Sequence, residues 1–155
     1  MAIRITDGEY HALSQLRYLI RKFLQEGDET AREAGLEPQQ YLLLLAIRGL
    51  EVGQEASIRV LAERLSLRHH STVELVDRLE SHGLVKRTRG REDRRQVLVS
   101  LQPRGEKLLE QVVAQRIVEL RSHGHALVGA IGKLLESGPS GTRRPSQKRN
   151  KSKAA

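Results

Sequence analysis

Apolar positions change their period several times along this chain, and each change marks an element. Tyr10, Leu13, Leu16, Ile20, Phe23 and Leu24 recur at helical steps, which predicts an amphipathic helix. Thr6-Asp7-Gly8-Glu9 in front of them fits a capping box, with Thr6 as N-cap and Glu9 reaching back; the helix is expected to fade near Gly27. Pro38 suits a first helical position. Residues 41–47 are apolar nearly all round, which predicts a central, buried helix. Ser57 can cap the next helix, with Ile58, Leu61, Ala62 and Leu65 inward. After a break at Ser66-Leu67, Leu75, Val76 and Leu79 give a further inner stripe, stopped by His82-Gly83.

The period then shortens to two. Residues 84–88 are short and extended, and Val97, Val99 and Leu101 alternate as a half-buried strand should. Between them, 89–95 is predicted as a hairpin tip. From Pro103, Leu108, Leu109, Val112, Val113, Ile117 and Leu120 trace a long helical stripe. Gly124 is expected to interrupt it, and Leu127, Ile131, Leu134 and Leu135 to carry it on to about Glu136. The predicted fold class is mainly α with a small β-hairpin wing: a winged helix-turn-helix lobe at about 38–101, flanked by helices at about 6–27 and 103–136. Residues 137–155 are rich in Ser, Gly, Pro and charge, and are expected to form a disordered tail.

Composition narrows the reading. At 155 residues the chain can bury roughly 70% of its unfolded surface in one domain. It has no cysteine, which removes disulfides, thiolate metal sites and thiol redox chemistry. No apolar run approaches the roughly 20 residues that span a bilayer, and MAIRITDGEYHAL lacks the apolar core of a signal peptide. A cytoplasmic protein without membrane contact is expected. The net charge is +8, but six basic residues fall in the tail with no acidic one; without them, 21 basic residues face 19 acidic. The body is therefore nearly neutral, with one local exception. Residues 86–95 hold six basic residues against Glu92 and Asp93.

That exception gives the hairpin its chemistry. Arg89, Arg91, Arg94 and Arg95 would repel one another without a polyanion, and arginine suits the narrow, electronegative minor groove of duplex DNA. In a solvated loop, Asp93 would instead pair with Arg95; that pairing is compatible with DNA binding. On the preceding helix, Arg68, His69, His70, Ser71, Glu74 and Arg78 avoid the packing face of Leu75, Val76 and Leu79. Helix N-termini favour phosphate, and first-turn side chains reach base edges in the major groove. The plainer alternative is an ordinary solvated amphipathic helix.

Taken together, Leu61-Ala62-Glu63-Arg64-Leu65, Val76-Asp77-Arg78-Leu79-Glu80, Gly83-Leu84-Val85, Asp93-Arg94-Arg95, the 97–101 strand and Gly105 resemble the MarR (multiple-antibiotic-resistance regulator) family of bacterial transcription factors. The resemblance runs from about residue 6 to 136. It implies a homodimer joined by the first and last helices, with one winged helix per half of a pseudo-palindromic operator. Leu13, Leu16, Ile20, Ile117, Leu120, Leu127, Ile131 and Leu134 then form the dimerisation surface. The resemblance also implies that Arg94 or Arg95 enters the minor groove, that Asp93 braces it, and that a small aromatic or anionic effector releases DNA. Two residues depart from the family pattern: Arg68 stands where Ser or Thr caps the recognition helix, and Glu74 where a polar donor is common. A carboxylate there cannot bind phosphate but can accept from cytosine N4.

Other chemistries find less support. His69 and His70 are adjacent and point apart, and His123 and His125 can converge only if the helix breaks at Gly124, so no metal is assigned. No phosphate loop, GxSxG elbow or HExxH is present, so no enzyme and no cofactor is expected. Tyr10, Tyr18, Phe23 and Tyr41 are read as core, with a pocket lining as the alternative. The rival to a sequence-specific regulator is an architectural DNA-binding protein that relies on the wing and the basic tail.

The tail separates these two. Six positive charges with no apolar anchor give sequence-blind, salt-dependent contacts. Truncation after Glu136 is expected to weaken binding to random DNA while the operator-to-random ratio holds or rises. Competition binding at matched salt measures it; a truncated protein that no longer distinguishes the two duplexes overturns the regulator.

Overall fold

A computed structural model describes residues 4–136; the tail lies outside the described residues. Five helices and one antiparallel hairpin follow in the order α1 (Asp7–Glu33), α2 (Pro38–Arg48), α3 (Ile58–Leu65), α4 (His69–Ser81), β1 (Val85–Arg89), β2 (Val97–Leu101) and α5 (Pro103–Glu136). This is the mainly α, winged helix-turn-helix class expected from the sequence.

The predicted capping box is formed. Thr6 Oγ1 accepts from the Glu9 amide at 3.2 Å, and the Thr6 amide donates to Glu9 Oε2 at 2.7 Å. The Thr6 amide and, at 2.8 Å, the Thr6 hydroxyl both donate to Glu9 Oε2 and hold the Glu9 carboxyl below its ordinary range. α1 does not fade at Gly27 but continues to Glu33. Gly27 is there for close approach: a Cβ on it would meet Arg116 Nε of α5 at 3.3 Å. Arg116 is 7% exposed. It donates to the Phe23 carbonyl at 2.6 Å, pairs with Glu119 and lies 4.5 Å from the centre of the Phe23 ring. A buried charge is tolerated only with such partners.

α5 is likewise unbroken. It passes through Gly124, and through Gly129 and Gly132 after it, so His123 and His125 remain two positions apart on one continuous helix. Among the described residues no three His, Asp or Glu converge in a metal-holding group. α1 and α5 pack along each other, Ala12 and Ala130 being buried there.

The core lies beneath α2, α3 and α4, where Leu36, Leu43, Leu44, Leu61, Val76 and Leu79 are fully buried beside Val85 and Val112. α2 is less enclosed than its sequence suggests, since Leu42 and Leu45 are exposed. Of the four aromatic residues, Tyr41 is core and Phe23 half-buried, whereas Tyr10 and Tyr18 are exposed on α1. Burial pushes the Tyr41 hydroxyl up, against the pull of Arg116.

Two turns orient α4 and the hairpin. Ser66, at φ 52°, is a left-handed non-glycine residue joining α3 to α4. Gly83, at φ 70°, ends α4 as predicted, and the Leu84 amide returns to the Leu79 carbonyl at 2.9 Å. The chain then passes so close to α5 that a Cβ on Gly105 would lie 2.2 Å from the Leu84 carbonyl oxygen. That oxygen already accepts from the Gln102 amide at 2.9 Å. Gly105→Ala must push this backbone apart. Overpacking of this kind costs about 1–3 kcal/mol or more, a fall of several degrees in thermal midpoint for a protein of this size. Thermal unfolding followed by circular dichroism checks it; an unchanged midpoint would refute the close contact.

Candidate nucleic-acid interface

The hairpin pairs Val85 with Leu101, Arg87 with Val99 and Arg89 with Val97. Arg89 is thus the last strand residue rather than part of the tip, and its guanidinium donates back to the Arg94 carbonyl at 3.0 Å. Gly90 and Gln96 close the tip, the Gly90 amide donating to the Gln96 carbonyl at 2.8 Å. A Cβ on Gly90 would fall 2.6 Å from the Asp93 carbonyl oxygen, so the tip is tight as well as charged. The chain before α3 adds a fragment of a third strand: Ser57 bridges Leu98, and the Val99 amide donates to the Ala56 carbonyl at 2.9 Å.

Asp93 braces this tip in a different way from an ion pair. Its Oδ1 accepts from the backbone amide of Arg95 at 2.9 Å. The carboxylate shapes the turn and leaves the arginine side chains outward. Arg91, Arg94 and Arg95 are exposed. None of the three guanidiniums forms an ion pair among the described residues.

α4 presents the second cationic and polar surface beside the first. Arg68 is its N-cap, with extended backbone and no side-chain capping bond. No hydroxyl takes over the cap from within the helix; Thr72, fully buried, instead donates its hydroxyl back to the Arg68 carbonyl at 3.0 Å, a bond that satisfies the threonine and not a first-turn amide. His69, His70, Glu74 and Arg78 are exposed, and Ser71 is half-buried against the lobe. A cleft of about 550 Å³ separates α4 and the start of α3 from the hairpin, with His69 and Val73 on one wall and Asp93 and Arg95 on the other. Of the residues chosen from sequence, His69, Asp93 and Arg95 are brought together by this cleft.

Sequence reading missed the residue that ties the two surfaces together. Arg87 appeared only as one of six charges in a basic stretch. In the structure its guanidinium donates to Glu80 Oε1 at 3.0 Å and to the Val73 carbonyl at 3.3 Å, and pairs with Asp77. Its own amide donates to Glu80 Oε2 at 2.9 Å. Burial alone would lower the guanidinium's proton affinity, but the two carboxylates outweigh it and hold the pKa above its ordinary value. The available signal was the i, i+3 carboxylate pair on α4, with an arginine seven residues on.

Against known proteins, the MarR family model matches residues 34–96, from the end of α1 through the wing tip. An uncharacterized HTH-type transcriptional regulator of Bacillus subtilis, YsmB, is 30% identical over 106 residues, covering 68% of this chain and 70% of its own length. The chain belongs to the MarR family. It is a DNA-binding transcriptional regulator of winged-helix type. Among MarR-family and related proteins, the HTH-type repressor MdtR of B. subtilis is also 30% identical, over 65% of this chain and 63% of MdtR. The crystal structure of CouR from Rhodococcus jostii, bound to p-coumaroyl-CoA, superposes with a TM-score of 0.63 at 24% identity, covering 82% of this chain and 90% of CouR. That last likeness is one of fold.

Proposed function

We propose that this regulator acts as a homodimeric repressor on a pseudo-palindromic operator and is released by a small aromatic or anionic effector. The observation that carries the DNA-binding half is an exposed α4 start and a hairpin tip with three unneutralised arginines facing each other across one cleft, with His69 and Arg95 on its opposite walls, on a nearly neutral body. An α-helix fits the major groove, and arginine at a β-tip fits the minor groove alongside it. His70, Ser71 and Glu74 then read bases, Arg68, His69, Arg78 and Arg89 meet the backbone, and Arg91, Arg94 and Arg95 supply the wing contacts. Repression is favoured by the likeness to MdtR, and effector release by the ligand held in CouR. The same arrangement favours a regulator over an enzyme. Among the described residues no helix is long and apolar enough to cross a membrane, in keeping with action on cytoplasmic DNA.

The two contact types separate by mutation. Arg94→Ala or Arg95→Ala is expected to weaken binding by about 1–3 kcal/mol and to lower the salt slope with little change in major-groove preference. His70→Ala, Ser71→Ala or Glu74→Ala is expected to change which bases are selected from random DNA. Wing variants that bind as tightly as wild type at physiological salt would remove the minor-groove role.

Dimerisation is supported by apolar surface that one chain leaves open. Leu13 is 52% exposed, and Ile20, Ile117, Leu120 and Ile131 are each 40% or more exposed. Leu16, Leu127 and Leu134 are half-buried beside them. This much exposed apolar surface on α1 and α5 supports an interface between two copies. Sedimentation at low micromolar concentration is expected to show a dimer, and Leu127→Asp or Ile131→Asp to give monomer or aggregate. A clean 17.5 kDa species from the wild-type protein would refute the dimer.

A further inference from the structure

The reading of α4 and the hairpin as the DNA-contacting surface leaves Arg87 without a role. It lies on β1, outside the tip, with a side chain only 25% exposed and turned to the protein. Its partners Val73, Asp77 and Glu80 fall at i, i+4 and i+7 on α4. They form one stripe about 10 Å long at 1.5 Å rise per residue. A planar guanidinium gripping three points of that stripe fixes the strand both along the helix and around it. The hairpin is also anchored by buried Val85 and Val99 and by the Ser57–Leu98 bridge, but none of these grips the exposed edge of α4 as Arg87 does. A two-stranded ribbon is marginal alone, and β1 pairs only with β2.

We propose that Arg87 is a positioning residue for DNA recognition, setting the distance and angle between the recognition helix and the wing so that major and minor grooves are met together. This rests on the DNA-contacting assignment above. The fork, not the charge, is the working part. Lysine keeps the charge but, as a point donor on a flexible stem, cannot hold three acceptors in a plane. The opposite reading is a charge mask, in which Arg87 merely neutralises two carboxylates that would repel phosphate.

Arg87→Lys separates the two, using full-length protein and the duplex that wild type selects from random DNA. Affinity is expected to fall about tenfold or more, with unchanged melting temperature and oligomeric state. Methylation protection at major-groove guanine N7 is expected to persist while minor-groove protection beneath the wing is lost. A general loss of structure would erase both. Asp77→Ala with Glu80→Ala disarms the fork from the helix side without touching β1. It is expected to give the same loss of minor-groove protection and no gain in affinity, and it carries the test should Arg87→Lys fail to fold. Wild-type affinity with both grooves protected in Arg87→Lys would overturn the proposal, as would tighter binding with both grooves protected in the double variant. Either outcome leaves the DNA-contacting assignment standing. A wild-type protein that protects no minor groove would overturn that assignment and the role of Arg87 with it.

Discussion

The fold turns on one backbone contact, the passage of the α5 start across the end of α4. The Leu84 carbonyl accepts from Gln102 while the Gly105 backbone lies where no side chain fits. Leu84 is one residue past the glycine that ends α4 and one before β1. A single point therefore fixes where α4 stops, where the wing begins and how both meet the 34-residue helix α5. The core beneath them supplies burial energy, about 1.5–3 kcal/mol for each large apolar side chain, but burial is indifferent to angle. The close contact supplies the angle.

A second fixed point lies outside the lobe, between the first and last helices. Arg116 is buried at the crossing of α1 and α5, bound to the Phe23 carbonyl and Glu119 and pressed against Gly27. Replacing either glycine acts on geometry first. Gly27 gives way to a flexible side chain, whereas Gly105 faces backbone that cannot move alone. The α1–α5 contact is thus the compliant one and the contact between α5 and the lobe the stiff one.

The helices and hairpin were legible because each has a local signature: Thr6 with Glu9, Pro38, Ser57, Gly83 and the alternation of 97–101 all appear at their expected places. The errors share one cause. Gly27 and Gly124 look like stops, and both sit inside continuous helices because packing between α1 and α5 outweighs local propensity. The candidate DNA-contacting residues were legible as a charge pattern, but their support was not. Asp93 serves the Arg95 amide rather than its guanidinium, and Arg87 serves α4 across a gap of ten residues. Such bonds depend on the third dimension, which a periodicity does not encode. The exposed Leu42 and Leu45 were misjudged for the same reason, since an apolar run does not say which of its sides another element will cover.

The glycines of α5 carry a further consequence. Gly124, Gly129 and Gly132 fall within nine positions, and a Cβ on Gly129 or Gly132 would meet nothing. Each costs the helix about 1 kcal/mol relative to alanine. The last third of α5 is accordingly a poor helix by its own propensity and owes its shape to what packs along it. Its helicity is a reporter of contact: amide exchange there follows the covering of Leu127, Ala130 and Leu134, not the strength of the helix itself.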